Sequence, residues 1–217
     1  MQFGTLERPT HKNTSWDAMK FETCGHKFTD MSEGNYGISL INDCKYGHDV
    51  HGNTMQLTLL KCPTYPNEVA DEGLHKFTYS LLPHNGTLKD ADTIKEAYLL
   101  NLPMFCLPVN RPGKASQDAS GEAYERVLPE EWSLISTDSE NLIVETVKEA
   151  ERSEDIIVRM YESKNFRGTA EFTLGFPAKR VFLATTMEDV EKEICLKDGK
   201  FMLAYKPFEI ITLRIER

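Results

Sequence analysis

The sequence predicts an all-β protein, a large β-sandwich with one or two short helices. Three observations lead there. Short runs rich in β-branched, aromatic and aliphatic residues, bounded by Gly, Pro, Asn and Asp, recur along most of the 217 residues. In Lys76-Phe77-Thr78-Tyr79-Ser80-Leu81 the apolar and polar side chains alternate, as in a strand with one face on a core. Only one or two segments space their apolar residues for a helix.

Taken in order, strands are predicted at Lys20 to Phe28, Tyr36 to Asn42, Thr54 to Lys61, Lys76 to Leu82, Asn141 to Lys148, Ile156 to Glu162, Thr169 to Leu174, Arg180 to Ala184 and Glu209 to Ile215. The main helix is predicted over Asp92 to Asn101: Asp90 or Asp92 is placed to cap it, Ile94, Ala97 and Tyr98 share one face, and Pro103 stops it. A short acidic turn of helix is expected at Thr186 to Lys192, capped by Thr185 or Thr186. From Pro108 to Glu131 the chain turns to Pro, Gly, Ser, Gln and charge, too polar to bury much surface. An exposed crossing over 108–131 joining sub-halves 1–107 and 132–217 of one sandwich is the simplest organisation.

A chain of this length with 40% hydrophobic residues can bury a sizeable core. The formal charge of -9 argues against nucleic acid and anionic membrane surfaces, which reward clustered Lys and Arg. No apolar run approaches the roughly 20 residues that span a bilayer, and the opening MQFGTLERPTHK lacks the apolar stretch of a secretion signal. The expected location is the cytoplasm. The five cysteines, Cys24, Cys44, Cys62, Cys106 and Cys195, are odd in number and widely spread, and are expected to be reduced core residues. Asn13-Thr14-Ser15 and Asn85-Gly86-Thr87 fit a glycosylation sequon, a tripeptide that often arises by chance.

The most site-like stretch is Asn42 to Asn53, a turn-rich connection in which His48 and His51 with Asp43 and Asp49 offer imidazole and carboxylate to a metal. The competing reading is a polar turn whose Asp and Asn side chains bond their own backbone. Asp71-Glu72-Gly73-Leu74-His75 sets carboxylates beside an imidazole, the minimum for acid-base work, and reads equally as a solvated acidic turn. Arg8 to Asp17 combines Trp16 with hydrogen-bonding groups, which suits stacking on a sugar or ordinary packing. No phosphate loop, GxSxG elbow, HExxH or CxxC pair is present.

Several of these stretches, in the same order, resemble one family. Phe3-Gly4-Thr5-Leu6-Glu7-Arg8-Pro9-Thr10-His11, Asn13-Thr14-Ser15-Trp16-Asp17, Ser39-Leu40-Ile41-Asn42-Asp43-Cys44-Lys45-Tyr46-Gly47-His48-Asp49, and Leu57-Thr58-Leu59-Leu60 with Cys62-Pro63 are similar to the last region of family-38 α-mannosidases of the cytosolic and bacterial type. So are Phe77-Thr78-Tyr79, Pro83-His84, Val144 to Lys148, Val158 to Glu162 and Pro207 to Leu213. Ala18 departs from the pattern, since relatives carry a second Trp there.

The resemblance implies retaining hydrolysis of α-linked mannose by two carboxylates, with a zinc ion on the sugar hydroxyls. It places nucleophile and zinc ligands in an N-terminal catalytic domain that these residues lack, so neither a catalytic residue nor a metal is expected in this chain. What remains resembles a galactose-mutarotase-like sandwich that supports the catalytic domain. It lends loops to the sugar rim, with Asp71, Gly73, His75, Asp43, Tyr46 and His48 (beside His51) as candidate contacts. The alternative is an autonomous mannose-binding β-sandwich module. The implied partners are the catalytic domain, an α-mannoside, and a second copy drawn to apolar surface bared without that domain.

Overall fold

The computed structural model describes residues 1–107 and 129–217, and between them the backbone of two two-residue strands. In chain order the elements are α1 (Ser15–Ala18), β1 (Thr23–Cys24), β2 (Phe28–Glu33), β3 (Tyr36–Asn42), β4 (Gly47–His51), β5 (Thr54–Leu57), β6 (Tyr79–Asn85) and α2 (Thr93–Asn101). There follow β7 (Ser116–Gln117), β8 (Ala123–Tyr124), β9 (Ile135–Thr137), β10 (Leu142–Glu149), β11 (Ile156–Glu162), β12 (Gly168–Leu174), β13 (Arg180–Ala184), β14 (Val190–Ile194), β15 (Lys200–Tyr205) and β16 (Ile210–Glu216). They fall into two compact units, Met1–Met104 and Phe105–Arg217. Every strand pairing among the described residues is antiparallel. The crossing expected over 108–131 lies mostly outside the described residues. No helix among the described residues is long and apolar enough to cross a membrane.

The second unit is a β-sandwich. One sheet runs β10-β11-β16-β13-β14 and the other β15-β12-β9. Alternation along β11 and β16 sends Ile156, Val158 and Met160, and Ile211, Leu213 and Ile215, to the inner face. There they meet Ala170, Phe172, Leu174, Phe201 and Tyr205 from the other sheet. Phe172 and Phe201, opposite each other across β12 and β15, stack at 5.0 Å. On the outer face the loop after β13 is held by Glu188, a buried residue at positive φ. Its carboxylate accepts from Lys148 Nζ at 2.8 Å and from the Glu151 amide at 2.8 Å. The Lys148 contact holds the Glu188 carboxyl below its ordinary range, aided by the Glu151 amide.

The first unit holds two three-stranded sheets, β1-β4-β5 and β2-β3-β6, with α2 on one face of the second. That face carries a polar chain. Ser39 Oγ donates to Asp30 Oδ2 (2.7 Å) and shares a 2.7 Å bond with Thr93 Oγ1 of α2, while His84 Nε2 lies 2.7 Å from the same Asp30 oxygen. Ser32 adds a bond to Asp30 Oδ1 at 2.9 Å. Gly37 makes room for the His84 ring, because a Cβ there would stand 2.3 Å from His84 Cε1. Asn101 at the end of α2 donates to the Asn42 carbonyl at 2.9 Å, tying the helix to the end of β3.

Three expectations need correction. Thr186 to Lys192 is not helical: Thr185 Oγ1 accepts the amides of Met187 and Asp189, the chain reverses, and β14 begins at Val190. The hydroxyl expected to cap a helix closes a hairpin instead. Lys20 to Phe28 is not one strand, because Lys27 at φ 69 breaks it between β1 and β2. The cysteines are unpaired, yet all five are exposed rather than in the core.

Candidate functional site

The stretch after β3 is built from the backbone outward. Asn42, 1% exposed, ends the strand, and its Oδ1 accepts the Lys45 amide at 2.7 Å, closing the turn over Asp43 and Cys44. Asp43 Oδ1 accepts the Thr78 amide at 2.9 Å, and the Asp43 amide donates back to the Thr78 carbonyl. That amide bond, with the Cys44 thiol, holds the Asp43 carboxyl below its ordinary range; the same carboxylate pushes the Cys44 thiol up. Lys45 Nζ lies 5.1 Å from the Phe77 ring centroid. The turn is therefore clamped to residues 76–78, which follow His75 directly. The polar-turn reading accounts for Asn42, whereas Asp43 bonds the distant Thr78 backbone instead of its own turn.

Beyond the turn the expected loop is largely strand. β4 pairs with β1 and β5, and Gly52 at φ 54 with Asn53 turns the chain between His51 and Thr54. His48 and His51, three residues apart on a strand, point to opposite faces and cannot share a metal. Among the described residues no group of three or more His, Cys, Asp or Glu is arranged to hold one. His48 is 1% exposed: Nδ1 lies 3.1 Å from the Tyr46 carbonyl and Nε2 3.5 Å from Asn42 Nδ2. That pairing suits the neutral ring, with Nδ1 donating and Nε2 accepting. Burial lowers the His48 pKa in agreement. Both ring nitrogens of His51 are enclosed without a polar partner. Tyr46 is 52% exposed, with its ring 5.0 Å from that of His26.

The second candidate lies on the long connection from β5 to β6. Asp71 (φ 60) and Gly73 (φ 135) both adopt backbone conformations that turn the chain sharply. Asp71 Oδ2 accepts the Cys62 amide at 3.2 Å, and His75 Nε2 donates to the Asp71 carbonyl oxygen at 2.7 Å. The imidazole thus bonds backbone rather than carboxylate, so no acid-base pair is assembled here. Asp71, Gly73 and His75 are all exposed. Asp43, Tyr46 and His48 form one neighbourhood; Asp71, Gly73 and His75 form a second, joined to it through residues 76–78. The sequence does not show the buried chain of Asp30, Ser39, His84 and Thr93 as a unit. Its one sequence signal is Ser39 inside the apolar run Ile38 to Ile41.

Residues 1–69 match the C-terminal domain of glycosyl hydrolases family 38, and residues 141–213 match the C-terminal beta sandwich domain of the same family, across β10 to β16. The chain belongs to the C-terminal region of glycosyl hydrolase family 38. It is 38% identical over 218 residues to Alpha-mannosidase 2C1 of Homo sapiens, covering 98% of this chain and 20% of that protein. It is 40% identical over 221 residues to Alpha-mannosidase G of Dictyostelium discoideum, covering 99% and 19%. The crystal structure of an alpha-mannosidase from Enterococcus faecalis V583 matches with a TM-score of 0.76 at 18% identity, over 99% of this chain and 23% of that one. That likeness establishes the fold. This family-38 chain spans about one fifth of the length of the curated relatives it matches.

Proposed function

We propose that this chain is the non-catalytic C-terminal part of a retaining, cytoplasmic α-mannosidase that hydrolyses α-linked mannose. The carrying observation is that nearly the whole chain aligns with about one fifth of proteins named α-mannosidases. The described residues do not fit a zinc ion. In this reading zinc and nucleophile belong to the rest of the polypeptide. The sandwich supports that catalytic part, and the exposed Tyr46, Asp71, Gly73 and His75 reach the rim of the sugar site, with Asp43 fixing the turn and buried His48 positioning Tyr46 from behind.

The complete polypeptide, supplied with zinc, is expected to hydrolyse an aryl α-mannoside. His75→Ala and Tyr46→Ala are expected to raise KM several-fold while kcat changes little, the pattern of lost substrate binding. Absence of hydrolysis in the complete polypeptide counts against the mannosidase reading, and unchanged KM in both variants counts against the rim.

A further inference from the structure

Every polar group of buried Asn42 is engaged, each by a different part of the first unit. Its amide donates to the Lys27 carbonyl at 2.8 Å, its Oδ1 accepts the Lys45 amide at 2.7 Å, and its Nδ2 lies 3.5 Å from His48 Nε2. The fourth group, the backbone carbonyl, accepts from Asn101 Nδ2 of α2 at 2.9 Å, across 59 positions of the chain. In a regular antiparallel pair Lys27 would return its own amide to that carbonyl. At φ 69 Lys27 leaves the strand conformation, and the donor comes from the helix instead.

Asn101 arrives with its direction fixed. It is the last residue of α2, and the same Nδ2 donates to the Ala97 carbonyl of its own helix at 2.8 Å. With one N–H held by the helix, the other is aimed at Asn42. Tyr98 ties α2 to the same corner a second time, its ring centroid 4.3 Å from Lys27 Nζ. From Asn42 the hold passes to the turn. His48 closes it from behind: Nε2 faces the Asn42 amide group, and Nδ1 donates to the Tyr46 carbonyl at 3.1 Å. A buried relay of Asn101, Asn42 and His48 therefore ends at the backbone of Tyr46, whose side chain is exposed.

We infer that Asn101 is a positioning residue for sugar binding: through Asn42 and His48 it fixes the turn that presents Tyr46 to the rim. The inference rests on the proposed rim and adds to it the C-terminal end of α2, which lies behind the turn. Removing the Asn101 donor leaves a buried carbonyl unpaired at the one residue that holds the turn to Lys27, Lys45 and His48. The turn then samples several arrangements, and Tyr46 meets the sugar in few of them. The loss falls on substrate affinity, because the bond-breaking groups of the proposed enzyme lie outside these residues.

The test compares Asn101→Ala, Tyr46→Ala and the double variant in the complete polypeptide, on an aryl α-mannoside. Asn101→Ala should raise KM at least about fivefold and change kcat less than about twofold. In the Tyr46→Ala background it should raise KM less than about twofold, since the group it positions is gone. Exchange of the Asp43 and Lys45 amides should accelerate at least about fivefold in Asn101→Ala, a readout independent of turnover. Lys95→Gly, at an exposed position of α2, loosens the helix without touching the bond and should leave KM unchanged. A KM raised by Tyr46→Ala and unmoved by Asn101→Ala overturns the inference and leaves the rim standing. Equal KM effects in the two backgrounds, or an equal effect of Lys95→Gly, overturn it as well. KM unmoved by both Tyr46→Ala and Asn101→Ala removes the rim and the inference together.

Discussion

Replacing Gly37 by Ala tests the packing beneath β3. The new Cβ would stand 2.3 Å from His84 Cε1, 2.7 Å from His84 Nε2 and 2.7 Å from Ser32 Cβ, where ordinary contact begins at 3.4 Å. The ring must retreat by about 1 Å to relieve the overlap. Such a retreat takes the 2.7 Å bond between His84 Nε2 and Asp30 Oδ2 out of hydrogen-bonding range. The His84 and Asp30 side chains are 7% and 6% exposed, so water does not replace the lost donor. A hydrogen bond to a charged group contributes about 1.5–3 kcal/mol, and overpacking costs about 1–3 kcal/mol. Asp30 keeps its Ser39 and Ser32 donors, which places the expected loss at about 2–4 kcal/mol. In amide exchange that is an acceleration of at least about 30-fold for residues 38–41. His84→Ala removes the obstructing ring but leaves the 2.7 Å approach to Ser32 Cβ, so adding Gly37→Ala in that background should cost less than in the unaltered chain, giving measurable coupling in a double-mutant cycle. Exchange within about threefold of the unaltered chain, or equal costs in both backgrounds, refutes the steric account.

Other outcomes follow from the same structure. Burial lowers the His48 pKa, so its contribution is complete above the ordinary histidine value of 6.5 and is lost as pH falls below it through the folded value. His48→Gln should flatten that part of a denaturation-midpoint profile. The lowered Glu188 carboxyl contributes stability above its ordinary value of 4.5 that disappears as pH falls through the folded value. The second unit should therefore weaken below about pH 4.5, and Glu188→Gln should remove much of that slope. Leu213→Ala, at a fully buried position of the second unit, should cost about 2–5 kcal/mol there. Amide exchange should report that loss in β11 and β16 while β3 stays unchanged.

The strands that were legible have a simple burial pattern. Tyr36 to Asn42, Ile156 to Glu162 and Arg180 to Ala184 match β3, β11 and β13 residue for residue, because apolar density bounded by turn residues marks a strand in the core. The overlooked strands had their signals in the turns. Gly52-Asn53 follows β4, and Asp198-Gly199, with φ 52 and 75, precedes β15; both are hairpin dipeptides. β4 also carries His48, Asp49 and His51, whose polarity suggests a loop until the pairing with β1 and β5 is known. The importance of Asn42 and Asp43 was visible in their sequence setting, but their work was not. Asp43 binds Thr78, 35 residues away, and that partnership exists only once β3 and β6 are paired. The acid-base look of Asp71 to His75 dissolves for the same reason: proximity in sequence left open which atom of Asp71 the imidazole meets.

The most direct test of the part proposed for this chain in an α-mannosidase compares hydrolysis of an aryl α-mannoside, with zinc present, by the complete polypeptide and by residues 1–217 alone. Turnover by the complete polypeptide that a chelator abolishes, with none from residues 1–217 at any zinc concentration, is the predicted result. Zinc-dependent turnover by residues 1–217 alone would contradict the account, because it would place the chemistry among groups that the structure shows occupied in holding turns and strands together.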